Sequence, residues 1–272
     1  MGDEIRVPPL TVSEKSNLPA DISKADIEFM KSLVIYKDKE VIVLNKPAGI
    51  AVQGGTKTKR HIDGLLDALR FDLNEKPHLV HRLDKDTSGV LILGRTANAA
   101  SKLAKSFKSR EAQKIYWAVV VGKPKLRTGK IDAPLSKLSG AGGGEQMKID
   151  FNNGDKAQTL YRVVDSLGQK ASWLEMSPLT GRTHQLRVHT AEALNTPIIG
   201  DGKYGGDRSY AVGIDNNKKL HLHARAIRIP HPTKGMIEVF ADLSPHMAKT
   251  FEFLGFNEKD AEHPFDFFMK EI

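Results

Sequence analysis

The segment His81-Arg-Leu-Asp84-Lys-Asp-Thr-Ser-Gly89 gathers a histidine, an arginine, two carboxylates and two hydroxyls directly before the apolar run Val90 to Leu93. A carboxylate there can act as nucleophile, base or electrostatic stabiliser if a nearby cation keeps it ionised. The same residues also suit a plain turn: Asp86, Thr87, Ser88 and Gly89 are turn formers, and Asp84 can accept backbone N–H bonds where the strand begins. A second segment, Thr180-Gly-Arg-Thr-His-Gln-Leu-Arg-Val-His189, offers the cation. Its pattern predicts a helix from about Thr180 or Gly181 to just before Pro197, with Thr183, Arg187 and Thr190 on one face. That face is either solvent surface or the place from which Arg187 pairs with a buried carboxylate such as Asp84. In an extended segment Asp84 and Asp86 share a side, so a carboxylate-pair hydrolase also fits locally.

Short β-branched runs bounded by Gly, Pro and Asn must position these segments: VIVL (41–44), VLIL (90–93) and IYWAVVV (115–121), followed by TLYRVV, SWLEM, LHLHARAIRI and MIEVF. Helical spacing of Ile62, Leu65, Leu66 and Leu69, and of Ala100, Leu103, Ala104 and Phe107, predicts amphipathic helices between them. A last helix starts at Ser244 with Pro245 in its first position, buries Met247, Phe251 and Leu254, and closes the domain. Strict βαβ alternation is missing, so the fold class is α+β, with a mainly antiparallel mixed sheet and flanking helices. Residues 1–36, with Pro8, Pro9, Pro19 and one short helix from about Ser23 to Leu33, read as an N-terminal arm ahead of a single domain over 37–272.

The chain has 272 residues, 40% hydrophobic and 27% charged, which is globular. Its 41 Lys and Arg against 33 Asp and Glu give a net charge of +8, favouring a polyanionic partner. With no cysteine, disulfides, thiolate metal sites and a cysteine nucleophile are excluded. Neither a signal-peptide core nor an apolar run of membrane-spanning length occurs, so a soluble cytoplasmic protein is expected. The glycine-rich stretch Ser139 to Gly144 lacks P-loop spacing and reads as a surface loop. Among ten histidines, His221-x-His223 with His184 and His189 invites a metal, but a third ligand at a recognisable spacing is missing.

NKPAGIAVQGG (45–55), HRLDKDTSGVLILGRT (81–96), IYWAVVVG (115–122), TGRTHQLRVH (180–189) and GDGKYGG (200–206) together resemble, in order and spacing, the motifs of the RluA family of pseudouridine synthases. The resemblance covers about residues 37–272 and is nearest the RluC and RluD branch, which modifies large-subunit ribosomal RNA. It implies the pseudouridine synthase fold with a central cleft, and isomerisation of uridine to pseudouridine without cofactor or metal. Asp84 is then the essential carboxylate, acting as nucleophile or assisting elimination. Tyr116 is the active-site tyrosine, otherwise a core aromatic, and Arg187 the cation paired with Asp84. Arg82 is the arginine that fills the gap left by the flipped base, otherwise a phosphate contact. Lys46, Thr87, Lys102 and Lys105 are further RNA contacts, with Lys108, Lys57, Lys59 and Arg60 along the same basic path.

The implied partner is structured RNA, 23S ribosomal RNA in particular, bound by a monomer needing no membrane or obligate protein partner. The same reaction on transfer RNA, or an RNA-binding module without catalysis, are the other readings; the latter has no use for the Asp, Tyr and Arg set. GDEIRVPPL (2–10) resembles the end of the S4-type domain that precedes the catalytic domain in that branch, so truncation or loss of such a domain is expected.

Overall fold

A computed structural model describes residues 22–55, 60–138, 145–210, 213–214, 218–261 and 263–269. In chain order the elements are α1 (Lys24–Ser32), β1 (Val34–Lys37), β2 (Val41–Lys46), a 3-10 helix (Asp63–Leu69), β3 (His78–Leu79), β4 (Ser88–Gly94), α2 (Ala97–Lys108) and β5 (Gln113–Val121). Then come β6 (Thr128–Asp132), β7 (Leu135–Lys137), β8 (Met147–Ile149), β9 (Gln158–Leu167), β10 (Ala171–Pro178) and α3 (Gln185–Val188), which runs into a π-helical turn (His189–Ala193). After a 3-10 turn (Gly206–Ser209) the chain ends with β11 (Leu222–Pro230), β12 (Met236–Phe240), α4 (Pro245–Leu254), a 3-10 turn (Glu258–Ala261) and α5 (Pro264–Met269).

Ten strands form one sheet, with the path β1-β2-β4-β11-β5-β10-β9-β6, β12 beside β11 and β3 beside β4. β7 and β8 make a separate hairpin. Every pairing in the large sheet is antiparallel except β4 with β11, so the expected α+β class with a mainly antiparallel mixed sheet is what the chain adopts. The apolar runs explain the centre. β4 is buried at every position and β5 alternates, with Ile115, Trp117 and Val119 facing one core and Ala118 and Val120 another. The first of these cores also holds Trp173, Met247 and Phe251, where each buried Met or Phe side chain contributes roughly 1.5–3 kcal/mol.

The parallel pair does the positioning. Ala224 of β11 is paired with Gly89 on one side and with Tyr116 on the other, so the loop ending at Gly89 lies level with Tyr116. Gly89 has φ +105°, and a Cβ there would stand 2.1 Å from the Ala224 carbonyl oxygen, so both conformation and space demand glycine.

Several expectations change. The boundary at residue 36 falls inside β1, and Met30 of α1 is fully buried against β2 and β4, so this part of the arm packs as part of the sheet domain. The stretch carrying Leu65, Leu66 and Leu69 is 3-10 rather than α-helical, although all three are buried as predicted. On α2 the buried face is Ala99, Leu103 and Ser106, rotated from the expected stripe; Ala104 is exposed and Phe107 turns to stack on His81. α4 begins after Ser244 and buries Met247 and Phe251, yet α5 follows it and adds Phe265 and Phe268 to the same core, so α4 does not close the domain. GDEIRVPPL, Lys57, Lys59 and Ser139 to Gly144 lie outside the described residues. Among the described residues no helix is long and apolar enough to cross a membrane.

Candidate active site

Asp84 opens a turn closed by the Thr87 N–H, which donates to the Asp84 carbonyl at 3.2 Å. The surrounding loop is pinned at three places. The Lys46 ammonium donates to the carbonyls of Pro47, Ile50 and Lys85 at 2.9, 2.9 and 3.0 Å. The Gly49 N–H donates to the same Lys85 carbonyl at 2.9 Å. Nε2 of His81 accepts the Ile92 N–H at 3.0 Å. Held this way, Asp84 keeps a side chain that is 31% exposed in the wall of a cavity of about 1040 Å³, shared with Arg82, Tyr116, Lys114, His184 and Arg187.

Two groups approach one oxygen of Asp84: Arg187 Nη1 and His184 Nε2 each lie 3.8 Å from Oδ2. The expected pairing of Arg187 with Asp84 therefore exists only as a long contact. Arg187 is instead forked onto Asp201, Nε to Oδ2 at 2.9 Å and Nη2 to Oδ1 at 2.7 Å. Asp201 is fully buried at its carboxylate, and the guanidinium lies 5.2 Å from the Tyr204 ring centroid. Burial works against the Arg187 charge, but the hydrogen bonds and charge of Asp201, then the charge of Asp84, outweigh it and hold the guanidinium more firmly protonated than usual. Burial chiefly, and the charge of Asp84 next, push the Tyr116 phenol above its ordinary value, so it is protonated at neutral pH. Burial and the charge of Arg110 bring Lys114 down to about 8.

The predicted helix from Thr180 is much shorter. The Gln185 carboxamide takes the place of its first turn: Oε1 accepts from the Thr180 hydroxyl and the Arg182 N–H, while Nε2 donates to the Gln158 carbonyl and the Thr159 hydroxyl. These bonds hold residues 180–184 as a loop and leave His184 at φ +53°. Thr183 thus precedes α3 and shares no helical face with Arg187, while the Thr190 hydroxyl bonds back to the Leu186 carbonyl.

The RNA-contact expectations divide. Arg82 is exposed in the cavity wall. Lys46 is not available to RNA: it is fully buried, its protons go to three carbonyls, and burial brings it down to about 8 against the charges of Asp86 and Asp84. Thr87 lines the cavity but is 3% exposed, serving the turn rather than a contact surface. Lys102 and Lys105 are exposed on α2, outside the cavity, and Lys102 donates to the Pro232 carbonyl. Lys108 lines the cavity, whereas Arg60 is paired with Asp26. His221 and His223 are fully buried and hydrogen-bonded to Thr250 and Ser88. Among the described residues no group of three or more His, Cys, Asp or Glu is placed to hold a metal ion.

Asp201 and Tyr204 of GDGKYGG carry no local signal of a task in the sequence. Nor does Lys114, although it stands two residues before Tyr116 and so on the same face of β5.

Residues 40–192 match the family model described as RNA pseudouridylate synthase. The chain is 36% identical to ribosomal large subunit pseudouridine synthase C of Vibrio vulnificus, over 93% of this chain and 79% of that one. It is 38% identical to the mitochondrial RNA pseudouridine synthase 4 of Arabidopsis thaliana over 85% of its length, but spans 59% of that relative. Among solved structures, human RNA pseudouridylate synthase domain containing 4 superposes with a TM-score of 0.70 at 30% identity, covering 85% of this chain and 97% of that one.

Proposed function

Because the chain belongs to the RNA pseudouridylate synthase family, we propose that it isomerises uridine to pseudouridine within structured RNA, with Asp84 as the group on which the reaction turns. The carrying observation is the one-sided environment of that carboxylate. Its Oδ2 faces Arg187 and His184, while Oδ1 has no protein partner among the described residues.

The reaction breaks the N1–C1′ bond, turns the uracil and joins its C5 to C1′, with no net change of oxidation state. It requires an ionised carboxylate for the electron-poor sugar or base, a proton acceptor, and walls that retain the detached uracil. Asp84 supplies the first, and the cavity the last. The ring of Tyr116 stacks on the uracil and its phenol relays a proton. Extruding the target base costs a few kcal/mol in unstacking, and the exposed guanidinium of Arg82 fills the gap.

The substrate is 23S ribosomal RNA; the name of the Vibrio relative, ribosomal large subunit pseudouridine synthase C, supports the choice of subunit. The net charge of +8 suits such a partner. The protein acts as a cytoplasmic monomer.

The test is tritium release from RNA labelled at uridine C5, without added metal, by wild type and Asp84→Asn. Wild type releases tritium, and the variant, folded by circular dichroism, loses it by at least about a thousandfold. Release that survives Asp84→Asn, or that a chelator abolishes, would sink the proposal.

A further inference from the structure

We propose that His184 is a positioning residue for this reaction: Tyr204 fixes its tautomer, and its Nε2–H holds Asp84 by Oδ2, leaving Oδ1 to meet the target nucleotide. The inference rests on the pseudouridine synthase reading.

The hydrogen-bond chain sets the tautomer. The Tyr204 oxygen accepts the Met147 N–H at 3.1 Å, which leaves its own proton to be given away. His184 Nδ1 lies 2.6 Å from that oxygen. Were Nδ1 the donor, the phenol oxygen would receive two protons and its own would have no partner among the described residues. Nδ1 therefore accepts, and the proton of the neutral ring sits on Nε2, the atom 3.8 Å from Asp84 Oδ2. The ring stays neutral because burial lowers its pKa; Arg187 and Lys203 lower it further, against the raising charges of Asp84 and Asp201.

The backbone supports the assignment. His184 sits in the left-handed region at φ +53°, a conformation costing on the order of 1 kcal/mol or more for a residue with a side chain. The four hydrogen bonds of the Gln185 carboxamide impose it. At 3.8 Å the contact is longer than a hydrogen bond, and closure by about 1 Å on substrate binding would make it one. Arg187 cannot take this role alone, since the Nε and Nη2 edge of its fork is occupied by Asp201.

Three variants test the role. His184→Asn tolerates the left-handed backbone but has an amide too short to reach Asp84; His184→Gln places an amide N–H near the Nε2 position; Tyr204→Phe releases the tautomer. Kinetics of tritium release should show kcat for His184→Asn lowered about 10- to 100-fold with KM nearly unchanged, and most of the loss recovered in His184→Gln. Nitrogen-15 shifts of free wild type, with His184 assigned by its absence in His184→Asn, should show Nδ1 bare and Nε2 protonated, and a tautomer mixture in Tyr204→Phe. A protonated Nδ1 in wild type overturns the proposal. So does a change in KM alone, or a glutamine variant no better than asparagine. If wild type releases no tritium, the reaction reading fails, while the nitrogen spectrum still decides the His184 contact on its own.

Discussion

Two arginines, Arg187 buried and Arg162 partly buried, each hold a fully buried carboxylate, and they lead to different ends. Arg187 spreads its fork over both oxygens of Asp201 and keeps Nη1 toward Asp84 in the cavity. Arg162 directs Nε and Nη2 at one oxygen of Glu175, at 2.8 and 2.7 Å, while the Trp117 indole N–H takes the other at 2.9 Å. Phe267 lies 4.3 Å from the Arg162 guanidinium. Burial dominates at Glu175 and raises its pKa despite Arg162, as expected of a carboxylate placed inside a sheet. The same chemical pair thus ties strands together at Arg162 and braces a reactive group at Arg187. What distinguishes them is whether one edge of the guanidinium remains free beside a cavity.

That distinction breaks most sharply under lysine substitution, which keeps the charge and loses the fork. Arg187→Lys should lower kcat for tritium release on the order of 100-fold, as loss of an electrostatic brace at a reacting centre does. Arg162→Lys should cost about 1–3 kcal/mol in urea unfolding and leave kcat per folded molecule unchanged. Equal losses of kcat in the two variants would end the comparison.

How much of this was legible in the sequence follows from the kind of interaction involved. The mixed α+β sheet was legible because contiguous apolar runs report themselves locally, whereas Asp84 and Tyr116 stood out only through motifs that resemble the RluA family; taken alone they read as a turn carboxylate and a core aromatic. The partner of Arg187 was not legible: Asp201 comes from a loop fourteen residues on and has no periodic relation to α3. The helix start was misplaced because the Gln185 side chain makes bonds that a helical backbone would otherwise make. Lys46 was expected to contact RNA, and its three carbonyl partners come from backbone that no sequence pattern reveals. Ile42, Leu44 and Lys46 share one face of β2 and are all fully buried, but Val41 and Val43 on the other face are buried too, so no alternation in the sequence marked Lys46 as an interior residue.

A smaller effect sharpens the sealed side of the comparison. His221 and His223 are each pushed down to about 4, mainly by burial, with His246 adding to the first and Arg225 to the second. Unfolded, they titrate near the ordinary value of 6.5. Between those values the unfolded chain binds protons that the fold refuses. Their stabilisation is therefore complete above about pH 6.5 and is lost as pH falls toward 4. By pH 5 this amounts to about 2 kcal/mol per histidine, read as a fall in urea midpoint from pH 7 to pH 5. His223→Gln, less stable at pH 7, should lose less over that interval; an unchanged slope would remove His223 from the account.

The smallest effect concerns charge at the surface, where the cavity side should differ from the sealed side in salt dependence alone. Lys105 on α2 is exposed and has no partner among the described residues, whereas Lys102 already donates to the Pro232 carbonyl. A lysine that neutralises one phosphate adds about 0.7–0.9 to the slope of log Kobs against log salt. Lys105→Ala should reduce the slope by that amount for every RNA sequence tested, because a phosphate contact carries no sequence information. Lys102→Ala should reduce it less, since its ammonium is partly committed to protein. Lys249, exposed on α4, serves as the control and should leave the slope unchanged. A filter-binding series from about 50 to 200 mM salt separates the three. If Lys249→Ala alters the slope as much as Lys105→Ala, the RNA path does not follow α2, and the basic surface has no preferred side.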